Sequence, residues 1–208
     1  MPSKNYDLTM LAMLDAIGND IKPTLLLHTC CAPCCSGVLE QLRQTFEITV
    51  YFYNPNIFPR EEYELRLNET KIFLNNFDSA IPLVAGEYDS AGYDCAMRGH
   101  ENEPEGSARC SVCFCMRLEQ AAHYASEHQF DYFATTLTIS PHKNPEIINE
   151  IGLNLQKKYN SIFLVSDFKK RNGYKHSIEM SEKFHIYRQN YCGCQVSMQR
   201  RTNKWDIL

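Results

Sequence analysis

LLLHTCCAPCCSGVLEQL, residues 25–42, is the stretch whose reading decides the fold. Together with Thr24 its apolar opening forms a short run (24–28) of buried-strand type. The pattern breaks after His28, and from Ser36 to Thr45 helical spacing puts Val38, Leu39 and Leu42 on one side. A strand that turns at once into a helix is the repeating unit of an α/β fold, and ligands in such folds bind at the carboxyl ends of the strands, beside the helix N-termini. Here that turn carries Cys30, Cys31, Cys34 and Cys35, four of the ten cysteines of the chain.

Working outward, EITVYFY (47–53) is rich in β-branched and aromatic residues and reads as a second strand. NPNIFPR closes it, and 60–77 predicts an amphipathic helix with Tyr63, Leu67 and Leu74 near one stripe. IPLV (81–84) is a short third strand. Residues 85–109 are irregular, with a short helix around Asp94–His100. A helix over 110–129, a strand over 130–137 and a helix over 144–159 continue the alternation. From Phe163 the pattern gives a last short strand, a loop and a helix near Ser177–Tyr187, before YCGC. Strands separated by helices require crossovers and hence a parallel sheet. The expectation is one doubly wound, mostly parallel α/β domain over residues 1–208: an N-terminal helix or arm (1–21), a Rossmann-like core (22–165) and a helical and loop extension (166–208) that completes the site.

At 208 residues, 44% hydrophobic and 22% charged, the composition is that of an ordinary globular chain, and no apolar run approaches the roughly 20 residues of a membrane helix. The N-terminus mixes Asp and Asn into its apolar part and lacks a cleavage site, which predicts a cytoplasmic protein with no membrane partner. Ten cysteines in that setting point to metal or thiol chemistry rather than a disulfide scaffold. A net charge of −4 excludes a uniformly basic nucleic-acid surface. Local basic patches are Lys157-Lys158, Lys169-Lys170-Arg171, and Arg200-Arg201 with Lys204.

The first cluster and Cys110-Ser-Val-Cys113 leave three readings open. A structural zinc needs only four thiolates, fewer than are present. A thioredoxin-like dithiol would use Cys31 and Cys34, with Pro141 as its proline, and leaves Cys30, Cys35 and the second pair without a role. An iron–sulfur cluster accounts for the number best. Cys192-Gly-Cys194 would form a strained, easily reduced disulfide suited to an electron relay, or be two reduced thiols. Cys95 reads as a packed small hydrophobe and His28 as a structural histidine. PP-loop enzymes carry a Gly/Ser-rich phosphate turn where this chain has cysteines, which argues against ATP as a substrate.

HTCCAPC (28–34), YNPNIFPREEYELR (53–66), RCSVCFCMRLEQAA (109–122), FATTLTISPHKNPEIIN (133–149) and SDFKKRNGYKHSIEMSEKFHIYRQNYCGC (166–194) together resemble the cobalamin-independent epoxyqueuosine reductases of the QueH type, in family order from about residue 22 to 197. The resemblance implies a HUP-type Rossmann domain. It also implies an enzyme that removes the epoxide oxygen of epoxyqueuosine, at the wobble position of tRNAs with GUN anticodons, by two electrons and two protons, without cobalamin. By the same resemblance Cys30, Cys31, Cys110 and Cys113 are similar to the ligands of a [4Fe-4S] cluster, Cys34 to a ligand of a neighbouring single iron, and Cys192 and Cys194 to a redox-active dithiol; Cys115 falls outside the pattern. Breaking the epoxide C–O bond calls for a Lewis-acidic iron and single electrons, which assigns Cys34 to catalysis. Asp167 is a candidate proton donor or phosphate contact. Lys169, Lys170 and Arg188 are candidates for the RNA, alongside Tyr174, Tyr187 and Gln189 of the same stretch. Tyr53 and Asn54 are candidates for a base pocket. A small ferredoxin or flavodoxin is the expected electron donor.

Overall fold

A computed structural model describes residues 4–18 and 21–199. Five parallel strands form one sheet in the order β3-β2-β1-β4-β5: β1 Thr24–Thr29, β2 Glu47–Phe52, β3 Leu83–Ala85, β4 Tyr132–Thr135 and β5 Ile162–Phe163. Between and around them run the helices α1 Tyr6–Ile17, α2 Ala32–Leu42, α3 Arg60–Phe77, α4 Ser90–Ala96, α5 Ala108–Glu127, α6 Pro145–Gln156 and α7 Gly173–Lys183. This is the Rossmann-like single domain that the alternation predicts. Strand order reverses at β1, so the crevice at its carboxyl end, flanked by β2 and β4, is where such a sheet opens.

Successive residues of a strand face opposite sides. Leu25, Leu27, Ile48, Val50 and Ala134 therefore pack with Val38, Leu39 and Leu42 of α2 and Phe73 and Leu74 of α3. Leu26, Tyr51 and Phe133 pack on the other side with Phe114, Leu118 and Ala121 of α5 and Ile148 of α6. The three leucines of β1 are completely buried, the expected state of a central parallel strand.

Several element boundaries differ from the spacing-based expectation. α2 begins at Ala32, not Ser36, because Pro33 suits a first turn, and Cys34 and Cys35 are thereby helical. Asp89 accepts from Gly92 N at 2.8 Å and starts α4 at Ser90 rather than Asp94. The expected 130–137 strand ends at Thr135, whose hydroxyl accepts from Leu137 N and turns the chain into a 3₁₀ helix, Thr136–Ile139. α7 starts at Gly173, after Asn172 in a left-handed conformation. None of these helices is long and apolar enough to cross a membrane. The basic patch at Arg200, Arg201 and Lys204 lies outside the described residues.

Candidate metal centre

The end of β1 delivers the first thiols. Thr29 hands its carbonyl to Asn54 Nδ2 at 2.8 Å, and its hydroxyl donates to the carbonyl of Cys31 at 3.2 Å, which fixes the turn. Cys31 is the N-cap of α2, extended at φ −174° and ψ 160° and with no side-chain cap of its own, so its sulfur is free to face the site. The sulfurs of Cys30, Cys31 and Cys34 all lie within 4.8 Å of one another, with Cys30 and Cys31 at 3.7 Å. Cys35, one residue on, turns into the apolar core beside Val38 and Leu39. Burial pushes its thiol up, as for a packed, unreactive cysteine.

Three thiols this close share charge. The Cys30 thiol is drawn well below its usual value by hydrogen bonds from Cys31 and Cys34. Burial pushes Cys31 up to about 12, and donation to Cys30 raises Cys34. One thiolate solvated by two thiols is a site that releases protons when a metal arrives.

α5 carries the second pair. Cys110 accepts from Gly106 N at 3.2 Å and packs against the same apolar cluster as Cys30 and Cys31. Cys113 lies with Tyr93, Met97 and Cys194, its thiol pushed up to about 11 by burial and pulled back by Arg117. Both stand outside the tight grouping of the triad. Cys34, set apart from the cluster ligands by the resemblance, is in that grouping. Cys95 and Cys115 are exposed, so Cys95 is not the packed small hydrophobe expected.

The 189–194 segment closes over the thiols. Gln189 Nε2 donates to Cys31 Sγ at 3.0 Å. Arg66 donates to the carbonyls of Cys192 and Tyr191 at 3.2 and 3.4 Å. Gly193 has φ +133°, and a Cβ there would sit 3.2 Å from Arg66 Nη1, Asn56 Nδ2 and Ile57 Cγ1, so the middle residue of the C-G-C must be small. Cys192 and Cys194 are both free thiols. Burial opposes ionisation of Cys194, yet hydrogen bonding with Ser197 and donation from Arg109 bring its thiol below the usual value.

A cavity of about 520 Å³ opens here, with Cys30, Cys34 and Cys192 on one side and Lys143, His142, Tyr174, Arg188 and Asn190 around the rest. Burial works against the Lys143 ammonium, but Cys192, Cys30 and Cys34 face it and hold its proton on. A wider groove, about 810 Å³, lies at the amino ends of the strands beside Lys22, Pro23 and Asp131 and contains no cysteine. The first, lined by the thiols, is the candidate site.

Of the other expected site residues, Arg188 reaches the cavity, anchored by Ser177 O and Ser181 Oγ at 3.0 and 2.8 Å. Asp167 is buried in an ion pair with Lys169, neither lines the cavity, and Lys170 is exposed. Tyr53 and Asn54 stand behind the cysteines rather than in the cavity. Tyr53 stacks on Tyr51, and Asn54 is turned inward to Thr29 and Arg117. His28 is fully buried between Thr135 Oγ1 and Tyr53 O at 2.8 and 3.1 Å, and burial, with Arg117, lowers it to about 3, so it is the structural histidine expected.

Sequence reasoning missed Lys143 and three buried arginines, Arg66, Arg109 and Arg117. Two of the arginines left a signal. Arg109, Cys113, Arg117, Ala121 and Ala125 recur every fourth residue on the buried stripe of α5, where an apolar side chain is the rule.

The donor set fits a thiolate-held metal group, since every candidate ligand is a sulfur. The surrounding polar atoms agree: Arg109 Nε and Nη2 and Arg117 Nε are buried with no hydrogen-bond partner among the described residues, leaving donors for an anionic group.

Comparison with known proteins gives the same direction. The profile of the family described as Epoxyqueuosine reductase QueH matches residues 25–200. A protein of that name from Streptococcus pyogenes serotype M1 is 47% identical over 195 residues, covering 91% of this chain and 76% of its own. The Haemophilus influenzae protein is 42% identical, covering 87% and 74%, and that of Thermotoga maritima 35%, covering 87% and 93%.

Proposed function

We propose, from the premise that the chain belongs to the epoxyqueuosine reductase QueH family, that it reduces epoxyqueuosine in tRNA to queuosine at the cavity walled by Cys30, Cys34 and Cys192. The observation that carries the reading is the sulfur triad at the carboxyl end of the central strand, opening onto a cavity large enough for a modified base. Cys30, Cys31, Cys110 and Cys113 would hold a [4Fe-4S] cluster and Cys34 a neighbouring iron. When bound, this group supplies single electrons and a Lewis acid for the epoxide oxygen.

The residues of the chain do the rest. The tRNA presents its wobble base splayed out of the anticodon loop, and Tyr174, exposed at the cavity, offers an aromatic face for stacking. Arg188 and Lys143 receive phosphate or ribose oxygens. Lys143 also holds a proton at Nζ within the cavity and delivers it to the departing oxygen. Loss of that oxygen as water consumes two electrons and two protons. Cys192 and Cys194 release the same number on closing to a disulfide, so one turnover balances if the pair is oxidised once. A small ferredoxin or flavodoxin then reopens it. Cobalamin has no part in this scheme, and Asp167 acts by fixing Lys169.

The test is anaerobic reconstitution with iron and sulfide, followed by visible absorption, metal content and turnover of epoxyqueuosine tRNA. A broad band near 400 nm, and loss of both band and turnover in Cys110→Ala, is the expected result. A colourless, zinc-loaded chain inert toward the epoxide would return the site to a structural metal.

A further inference from the structure

Three arginines are sunk beside the cysteines, and an acid balances only one of them. Arg66 is 1% exposed; its Nε lies 2.7 Å from Glu62, and its other nitrogens are spent on the carbonyls of Cys192 and Tyr191. Arg117, also 1% exposed, donates from Nη2 to Asn54 Oδ1 at 2.6 Å and hydrogen-bonds the Cys113 thiol, while facing Cys30 and Cys192. Arg109, 3% exposed, donates from Nη1 to Cys194 Sγ at 3.2 Å. Among the described residues neither Arg109 nor Arg117 has a carboxylate partner, and both keep buried nitrogens with nothing to bond.

A buried guanidinium cannot shed its proton, so its charge must be compensated. The groups these two face are sulfurs. Four thiolates outweigh the net positive charge of a cluster core, iron and sulfide taken together, so the ligated cluster is anionic, and buried cations with spare N–H donors are the complement. We propose that Arg109 and Arg117 are the built-in counter-cations of the iron–sulfur group and raise its reduction potential, with Asn54 holding Arg117 in place. The proposal rests on the cluster reading of the site. Positive charge and hydrogen bonds at the sulfurs favour the electron-rich reduced form, which makes the cluster easier to reduce. Arg117 matters most because it spans the two halves of the ligand set, facing Cys113 of one and Cys30 of the other. Arg66 also faces Cys31 and Cys30, but it shares its charge with Glu62 and spends its remaining donors as a strut for the 191–192 backbone. Asn54 thereby acquires a role behind the cysteines: it ties Arg117 to the carbonyl of Thr29, the last residue of β1.

The measurement is a redox titration of the anaerobically reconstituted full chain, followed by electron paramagnetic resonance, with iron and sulfide content determined on the same samples. Wild type is compared with Arg117→Met, Arg117→Lys, Arg109→Met, Arg66→Met and Asn54→Asp. The expected midpoints of Arg117→Met and Arg109→Met are more negative than wild type, Arg117→Lys falls between, and Arg66→Met shifts in the same direction by less, because Arg66 keeps no spare donor for the group. Asn54→Asp places a carboxylate on Arg117 without deleting it, so it too shifts negative even if Arg117→Met fails to fold. Cluster-loaded Arg109→Met and Asn54→Asp that titrate at the wild-type midpoint overturn the proposal alone. A wild-type chain that takes up no cluster overturns the reading beneath it as well.

Discussion

Lys143 is the residue whose position asks for a chemical role. It follows Ser140-Pro141-His142 in the loop after the 3₁₀ helix, and its ammonium faces Cys30, Cys34 and Cys192 across the cavity. If it delivers the proton, Lys143→Met lowers the single-turnover rate of the reduced enzyme by about 10²-fold or more, the usual scale of general-acid catalysis. Lys143→Arg would restore tRNA affinity better than rate, because guanidinium keeps the charge and is a poor acid. Equal losses of affinity and none of rate would confine Lys143 to binding. Gln189 belongs to the same scale. Its Nε2 donates to Cys31 while its Oε1 is buried without a partner among the described residues, so it is held for the sulfur rather than for its own comfort. Gln189→Leu should leave the fold intact and lower iron retention under chelator challenge.

At the scale of elements, two helix contacts set the site. The carboxylate of Glu103 gathers Arg109 N and Ser107 Oγ at the start of α5, with His100 beside it. These hydrogen bonds, His100 first, hold its carboxyl down at about 2. A lowered carboxyl stabilises the fold above the unfolded value of about 4.3 and loses that contribution as pH falls toward 2. Wild type should therefore lose more thermal stability between pH 4.5 and 2 than Glu103→Gln, measured on the metal-free chain. Parallel acid limbs for the two proteins would sink this cap. The second contact is between α2 and α7. A Cβ on Gly37 would come within 2.9 Å of Ile139 Cδ1, 3.0 Å of Ser177 Cβ and 3.2 Å of Ser177 Cα. The ~1 kcal/mol that alanine gains over glycine in a helix is set against roughly 1–3 kcal/mol of overpacking. The Ile139 tip can rotate but the Ser177 backbone cannot, so Gly37→Ala is expected to be net destabilising by about 1 kcal/mol in urea titration.

For the whole molecule, a net charge of −4 must still bind a polyanion, so attraction has to be concentrated at the cavity mouth. Affinity for tRNA should fall steeply with salt, and Arg188→Gln should reduce the slope of log K against log salt by about 0.7–0.9. An unchanged slope would move the RNA contact elsewhere. The scale of the fold was legible in the sequence alone: strand and helix periods alternate because each element must bury one face or both, and parallel pairing follows from the crossovers. The interval 60–77 was recovered to the residue. Boundaries fixed by single side chains, such as Asp89 and Thr135, were misjudged, because a cap is a local hydrogen bond that periodicity does not register. The cysteine spacings and the separated motifs likewise declared the family before any coordinate was known. What only the tertiary structure decided is what surrounds the sulfurs. It put Cys34 into one group with Cys30 and Cys31, turned Cys35 away into the core, moved Asn54 from a base pocket to the tether of Arg117, and brought Lys143 and three buried arginines to the thiols. Ligand type is a property of residues and can be read in order along the chain. Charge balance is a property of distances between segments far apart in sequence, and those exist only once the sheet has assembled.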